Sequence, residues 1–170
     1  CPQRLFAVAE DSLGRILAIA SVHDLLSRED LDRVSIRAIA ETLSMHLQQS
    51  LMLPGKKIHI NVTGENFPLS MTQATQVALI LNELVQNAVE HGFKTHDEGE
   101  IHVSITSDLD DVILRVSNSG DRLPPDFDMA IDSHLGLKIV RNLSKAISGE
   151  FVLEMRFNWV VAEVIFPREL

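Results

Sequence analysis

Apolar residues recur along the first fifty positions with helical spacing. Leu5, Phe6, Ala9, Leu13, Ile16, Leu17 and Ala20 fall on one stripe separated by polar residues, which predicts an amphipathic helix over residues 4–26. A charged turn, "SREDLDRV", follows. Ile36, Ile39, Leu43, Leu47 and Leu51 then mark a second amphipathic helix, so residues 1–52 read as a helical pair. "LPGKK" at 53–57 breaks the pattern, and the boundary to a second region, residues 53–170, is placed there.

Beyond that boundary the period changes to two. Ile58, Ile60 and Val62 alternate with His59 and Asn61, as in a half-buried strand. Ser70 and Gln73 have the spacing of a capping box, and Gly92 fits the C′ position of the helix that begins there. Ile101, Val103 and Ile105 alternate with polar residues, and "DLDD" turns into "VILRVSN", which predicts a hairpin. "GDRLPPDFD" reads as a loop, "HLGLKIVRNLSKAI" as a helix ended by Gly149, and "FVLEMRF" with "WVVAEVIFP" as a closing strand pair. The order αα then βαββαββ predicts an α+β fold, with helices on one face of a mixed or antiparallel sheet.

Composition narrows the function. The 170 residues carry a net charge of −9, which argues against a sequence-independent nucleic-acid binder. The lone Cys1 excludes an internal disulfide or a multi-cysteine zinc site. No apolar run is long enough to cross a bilayer, and no signal peptide is read at the start, so the expected location is cytoplasmic.

The helix "NELVQNAVEH" holds more polar groups than core filling needs. Glu83 and Asn87 stand one turn apart on the same side, and His91 continues the stripe. An amide oxygen is a hard neutral ligand suited to Mg²⁺ beside phosphates, and a carboxylate one turn earlier could orient or deprotonate a nucleophile. "LRVSNSGDRLP" ends a strand in Asn118, Ser119 and Gly120, where a side-chain carbonyl could accept from adenine's exocyclic amine and glycine permits close approach to a flat ring. "SHLGLKIV" places Gly136 at a helix start, where free N–H groups receive phosphate.

Together these segments resemble the N, G1 and G2 boxes of the Bergerat ATP-binding fold shared by gyrase, MutL and histidine kinases, over roughly residues 56–167. "ILNELVQNAVEHGF", "RILAIASVHDLLS" and the terminal "VIFP" are similar to sensor histidine kinases whose phosphoacceptor helix reads H-x-x-K-N-N. The resemblance implies ATP and Mg²⁺ as cofactors, with Asn87 on the metal and Glu83 polarising or holding the attacking imidazole. It implies Asn118 reading adenine where the family often has aspartate, Gly120 under the base, Gly136 and Leu137 offering amides to phosphate, and His91 on the phosphate side. It also implies a homodimer through the N-terminal helices and a response-regulator receiver domain as partner. Departures from the pattern are Arg122 and His134 in place of glycines, and Trp159 and Val160 where Gly-Thr is frequent.

His23, followed by Asp24, is read as structural, with the acceptor histidine expected upstream of Cys1. None of the other histidines has zinc-ligand spacing. Two alternatives remain: a serine kinase of the anti-sigma-factor type, which shares the nucleotide fold, and a non-catalytic dimer module with a decayed pocket.

Overall fold

The computed structural model describes residues 2–29, 33–50, 54–132 and 134–169. In chain order the elements are α1 (Pro2–Glu29), β1 (Arg33–Ser35), α2 (Ile36–Ser50), β2 (Lys57–Gly64), β3 (Pro68–Ser70) and α3 (Met71–Gly92). They continue with β4 (Glu98–Asp108), β5 (Asp111–Asn118), α4 (Met129–Asp132), α5 (Leu135–Ala146), β6 (Glu150–Arg156) and β7 (Trp159–Pro167).

The main sheet has five strands in the order β2-β4-β5-β7-β6. β2 runs parallel to β4 and the other pairs are antiparallel, so the sheet is mixed. Strand alternation sends Ile101, Val103, Ile105, Val112, Leu114, Val116, Val164 and Phe166 toward the helices, where all are buried. Val77, Ile80, Leu81, Leu84 and Val85 of α3 and Val140 of α5 meet them from the other side of the core. The expected architecture, helices on one face of a mixed sheet, is the one observed.

Several local expectations are corrected. The two N-terminal helices touch each other, but each also packs on α3. α2 packs on α3 and β2, and the short strand before it, β1, pairs antiparallel with β3. Gln48 of α2 explains the attachment: its amide donates to Ile58 O at 2.7 Å and accepts from Ile60 N–H at 2.8 Å, giving the outer edge of β2 the partner that a further strand would supply. Leu51 and Cys1 lie outside the described residues.

Among the described side chains of α1 the buried ones are Ala18 and Val22, whereas Leu13, Ile16 and Leu17 of the expected apolar stripe face outward, each about half exposed. Only half of the capping box forms. Ser70 Oγ accepts from Gln73 N–H at 3.3 Å, but the Gln73 amide donates to Pro167 O instead of returning to the cap.

Gly92 is not a C′ residue. α3 runs through it to a cap at Phe93, and Gly92 does not take positive φ. Likewise Ser148, not Gly149, takes the left-handed conformation after α5, while a Cβ on Gly149 would approach Ile165 O to 2.5 Å. Both glycines are required by close packing, not by a turn. Lys56 secures the end of α3, donating to Phe93 O and, at 2.9 Å, to His96 O, where a cation also complements the helix dipole.

Candidate active site

A cavity of about 630 Å³ opens between the C-terminal half of α3, the sheet and the segments 121–132 and 134–137. That size accommodates a nucleotide-sized ligand. Its apolar wall comes from Leu84 and Ala88 of α3, Val116, Leu153, Val160 and Ala162 of the strands, and Phe127 and Leu137 from the covering segment. Its polar groups are Asn87, His91, Lys94, Thr95, Asn118, Asp121, Arg122, Asp126, Asp132 and His134.

Of the residues singled out in the sequence, Asn87, His91, Asn118 and Leu137 meet in this cavity. The 3.6-residue repeat of α3 carries Asn87 and His91 to its wall. The two-residue repeat of β5 sends Asn118 to the same side as Val112, Leu114 and Val116. Asn118 is 5% exposed. The amide nitrogens of Asn87 and Asn118 are both buried without a hydrogen-bond partner. A buried unsatisfied donor is costly, so two of them in the lining of one cavity are a mark of a site built for a ligand.

Glu83, Gly120 and Gly136 are placed differently from one another. Glu83 is buried outside the cavity lining and forms an ion pair with Arg15 of α1, Nε to Oε1 at 2.6 Å and Nη2 to Oε2 at 3.3 Å. Gly136 lets the start of α5 close on this region, since a Cβ there would lie 2.8 Å from Glu83 Oε2 and 3.3 Å from Asn87 Nδ2. Gly120 supports the cavity from behind, against Gly92 and Phe93. At the head of α5, His134 is an N-cap with no side-chain cap bond, which leaves the first-turn N–H groups of the helix available.

His134 instead stacks on His91, with ring centroids 4.9 Å apart and 10° between planes. The His91 imidazole has a pKa below its ordinary value, first through loss of water around the ring and then through the nearby charges of Lys94 and His134. Of the departures from the family pattern, Arg122, His134 and Val160 touch the cavity, while Trp159 contacts His102 on the strand surface. His23 is exposed on α1, away from the cavity lining.

Sequence reasoning missed Asp121, which it left inside a loop. Its carboxylate accepts from the Thr95 hydroxyl, from Thr95 N–H at 2.9 Å and from His96 Nδ1 at 2.7 Å. These bonds, the Thr95 hydroxyl first, hold the carboxyl well below the usual carboxylate range. The cluster ties the cavity-lining loop to the end of α3. Its partners lie about 25 residues apart in the chain, and no local spacing signals it.

Among the described residues no helix is long and apolar enough to cross a membrane. The sequence model of the histidine kinase-, DNA gyrase B- and HSP90-like ATPases matches residues 72–159, which contain both amide-bearing elements of the cavity. The sensor histidine kinase PdtaS of Mycobacterium tuberculosis is 30% identical over 137 residues, 80% of this chain and 27% of that protein's length. The blue-light-activated histidine kinase 2 of Erythrobacter litoralis is 26% identical over 111 residues, 65% of this chain and 32% of that protein. The chain thus spans about a third or less of these relatives. In structure, the histidine kinase domain of the Erythrobacter litoralis EL346 blue-light activated histidine kinase shares the fold, with a TM-score of 0.81 at 16% identity over 93% of this chain and 75% of that one. The chain belongs to the histidine kinase-, DNA gyrase B- and HSP90-like ATPase family, as an ATP-binding region of the histidine kinase type.

Proposed function

We propose that this ATP-binding region transfers the γ-phosphoryl group of ATP to a histidine, for relay to an aspartate on a response-regulator receiver domain. The observation that carries the reading is the pair of unpartnered buried amides, Asn87 and Asn118, in the lining of one cavity of nucleotide size. Asn118 presents its amide to the edge of adenine. Asn87 supplies an oxygen suited to Mg²⁺, and the hard, neutral amide fits that ion's preference for oxygen donors. When bound, the metal neutralises charge on the phosphates.

The residues of the chain have separate tasks in this mechanism. His91 and Lys94 offer positive charge or N–H donors to the phosphates, and the first turn of α5, from Gly136 and Leu137, offers backbone N–H groups. A neutral imidazole nitrogen forms the new bond to the γ-phosphorus as the bond to the β,γ-bridging oxygen breaks and ADP leaves with that electron pair. Glu83 takes the proton from the other ring nitrogen. Positioning of the two reactants supplies most of the rate. The acceptor histidine is expected on a helix outside residues 1–170, and the location is cytoplasmic.

The outward apolar residues of α1, Leu13 (56% exposed), Ile16 (61%) and Leu17 (48%), support a homodimer joined through α1 in a helical bundle. On this reading residues 1–52 include a piece of the dimerisation region, and the ATP-binding region follows.

Calorimetric titration with Mg·ATP, on the parent chain and on Asn87→Ala, tests the nucleotide site. Saturable binding that falls at least about tenfold in the variant is expected from loss of an oxygen that would hold the metal. A parent chain that does not bind at millimolar Mg·ATP refutes the reading.

A further inference from the structure

The site reading leaves one buried acidic group unexplained: Glu83 lies one turn before Asn87 yet outside the cavity, engaged by α1. The contact is built from both sides. On α1, Arg15, Ala18, Val22 and Leu25 follow one another on the face that packs inward. Gly14 permits close approach, because a Cβ there would lie 3.3 Å from Asn82 Oδ1 and 3.4 Å from Asn82 Nδ2. Asn82 is 1% exposed, and its amide nitrogen has no partner. Beside it the Arg15 guanidinium reaches both oxygens of Glu83.

Two features decide what this contact can do. Among the described side chains of α1 the fully buried ones are small, an alanine and a valine, with Leu25 partly buried beside them, so these give little apolar area to resist separation of α1 from α3. The two-pronged bond, by contrast, is charge-assisted and directional, and it aims the carboxylate at α1. A carboxylate committed in this way is poorly placed to take a proton from an incoming nucleophile. The unsatisfied Asn82 amide beneath the contact further marks a junction that is not at its lowest free energy while docked.

We propose that Arg15 is a positioning residue that locks Glu83: docking of α1 on α3 withholds the carboxylate from proton acceptance, and release of α1 delivers it. The lock rests on the reading of Glu83 as the proton acceptor in phosphoryl transfer. It makes the angle and distance of α1 relative to α3 the variable that sets activity, while nucleotide affinity stays constant, because neither Arg15 nor Glu83 lines the cavity. A carboxylate pinned by a guanidinium also satisfies a purely structural need, and kinetics separate the two roles.

The test compares the parent chain with Arg15→Ala, Arg15→Lys and Gly14→Leu. The leucine wedges α1 from Asn82 and changes neither residue of the ion pair, which guards against an alanine variant that fails to fold. Three quantities are read: hydrogen exchange in residues 13–25, Mg·ATP affinity, and phosphate release with water as acceptor. In that reaction the water oxygen bonds to the γ-phosphorus, the bond to the bridging oxygen breaks, ADP leaves, and the water proton passes to Glu83. Arg15→Ala and Gly14→Leu are expected to speed exchange about tenfold and phosphate release at least about fivefold, with affinity within about twofold. Arg15→Lys, a single-pronged donor, falls between. Adding Glu83→Gln to Arg15→Ala removes the gain. Unchanged or slower phosphate release with intact affinity, or a gain that survives Glu83→Gln, overturns the lock and leaves the nucleotide site standing. Absence of Mg·ATP binding in the parent overturns both.

Discussion

The backbone of Gly120 passes so close to the carbonyl of Gly92 that a Cβ on residue 120 would overlap the Gly92 oxygen. Asp121 N–H donates to that same oxygen at 2.5 Å. The end of α3 and the start of the cavity loop are thus one unit, with no room for a methyl group between them. Gly120→Ala is expected to destabilise the fold by about 1–3 kcal/mol through overpacking against rigid backbone. It is also expected to weaken Mg·ATP binding, because the displaced loop carries Asp121, Arg122 and Leu123 of the cavity wall. Thermal unfolding with and without Mg·ATP checks both effects, and an unchanged melting temperature would contradict the packing argument.

That junction also explains what could be read from the sequence and what could not. Element types were legible because Ile58, Ile60 and Val62 or Leu81, Leu84 and Val85 repeat with the period of their own structure. The positions of Asn87, His91 and Asn118 on the cavity followed from the same periods. Gly92 was misread as a helix stop because its reason lies 26 to 28 positions away, at Asn118 and Gly120. Asp121 was missed for the same cause, since Thr95 and His96 approach it only through the fold. β1 and β3, three residues each, are too short to show a period. The packing of α2 on α3 and β2 was not legible because amphipathicity says that a helix packs, not on what. Gln48, a polar residue on α2, attaches it to β2.

On the sheet surface away from the helices, Glu163 of β7 accepts from Arg115 of β5 and from Arg156 of β6, the latter at 2.9 and 3.0 Å. Glu163 is 6% exposed. Its carboxyl titrates below the ordinary value, chiefly because of the Arg156 hydrogen bonds and then those of Arg115. A carboxyl depressed in the folded state stabilises above its unfolded pKa, and that contribution is lost as pH falls through the folded value. Glu163→Gln is therefore expected to cost about 1–3 kcal/mol at pH 7, discounted for the partly exposed guanidinium groups. Urea unfolding of parent and variant should show the gap narrowing as pH falls below about 4.5. A gap independent of pH would mean that packing, not charge, holds Glu163.

The outward face of α1 makes a prediction about assembly. Leu13, Ile16 and Leu17 form an exposed apolar patch on a long helix, the surface that the proposed dimer covers. Leu13→Glu with Leu17→Glu should convert the proposed dimer to a monomer while leaving Mg·ATP affinity unchanged, since neither residue lines the cavity. Light scattering across a concentration series measures the first part and titration the second. A parent chain that is already monomeric at high concentration would refute dimerisation through α1.

His91 links nucleotide binding to pH. Glu90 and Lys94, near it in sequence, and His134 of the α5 cap act on it through their charges, and Asp121, Arg122, Asp126 and Asp132 line the same cavity. Its folded pKa is lowered, so the group stabilises the fold above its unfolded value of about 6.5 and the contribution is lost as pH falls. Phosphate oxygens beside the ring reverse that preference and favour the imidazolium. Binding should then take up protons, and Mg·ATP affinity should rise as pH falls from about 8 to about 6, by no more than tenfold per unit for one group. Titration at pH 6.5 in two buffers of different ionisation enthalpy counts the protons. His91→Gln should abolish the uptake, and proton release on binding would place His91 away from the phosphates.

Asn118 yields the sharpest test of base recognition. It occupies a position where the family often has aspartate, and an amide differs from a carboxylate in carrying a donor as well as an acceptor. Rotated one way, its oxygen accepts from the exocyclic amine of adenine. Rotated the other way, its nitrogen, which now has no partner, donates to a carbonyl at the same position of the ring, as in inosine. A carboxylate can make only the first of these bonds, and against inosine it would face an oxygen at close range in a buried site. The parent chain should therefore bind ATP and inosine triphosphate within about tenfold of one another, whereas Asn118→Asp should discriminate in favour of ATP by a further factor of about ten to a hundred. Asn118→Ala removes the orphaned donor, so its folded state should lose little stability while base-dependent affinity falls for both nucleotides. Competitive titration of the three proteins with the two nucleotides decides the matter. If Asn118→Asp leaves the ratio unchanged, the base does not meet residue 118, and the adenine end of the cavity must be sought along Val116, Leu153 and Ala162 instead.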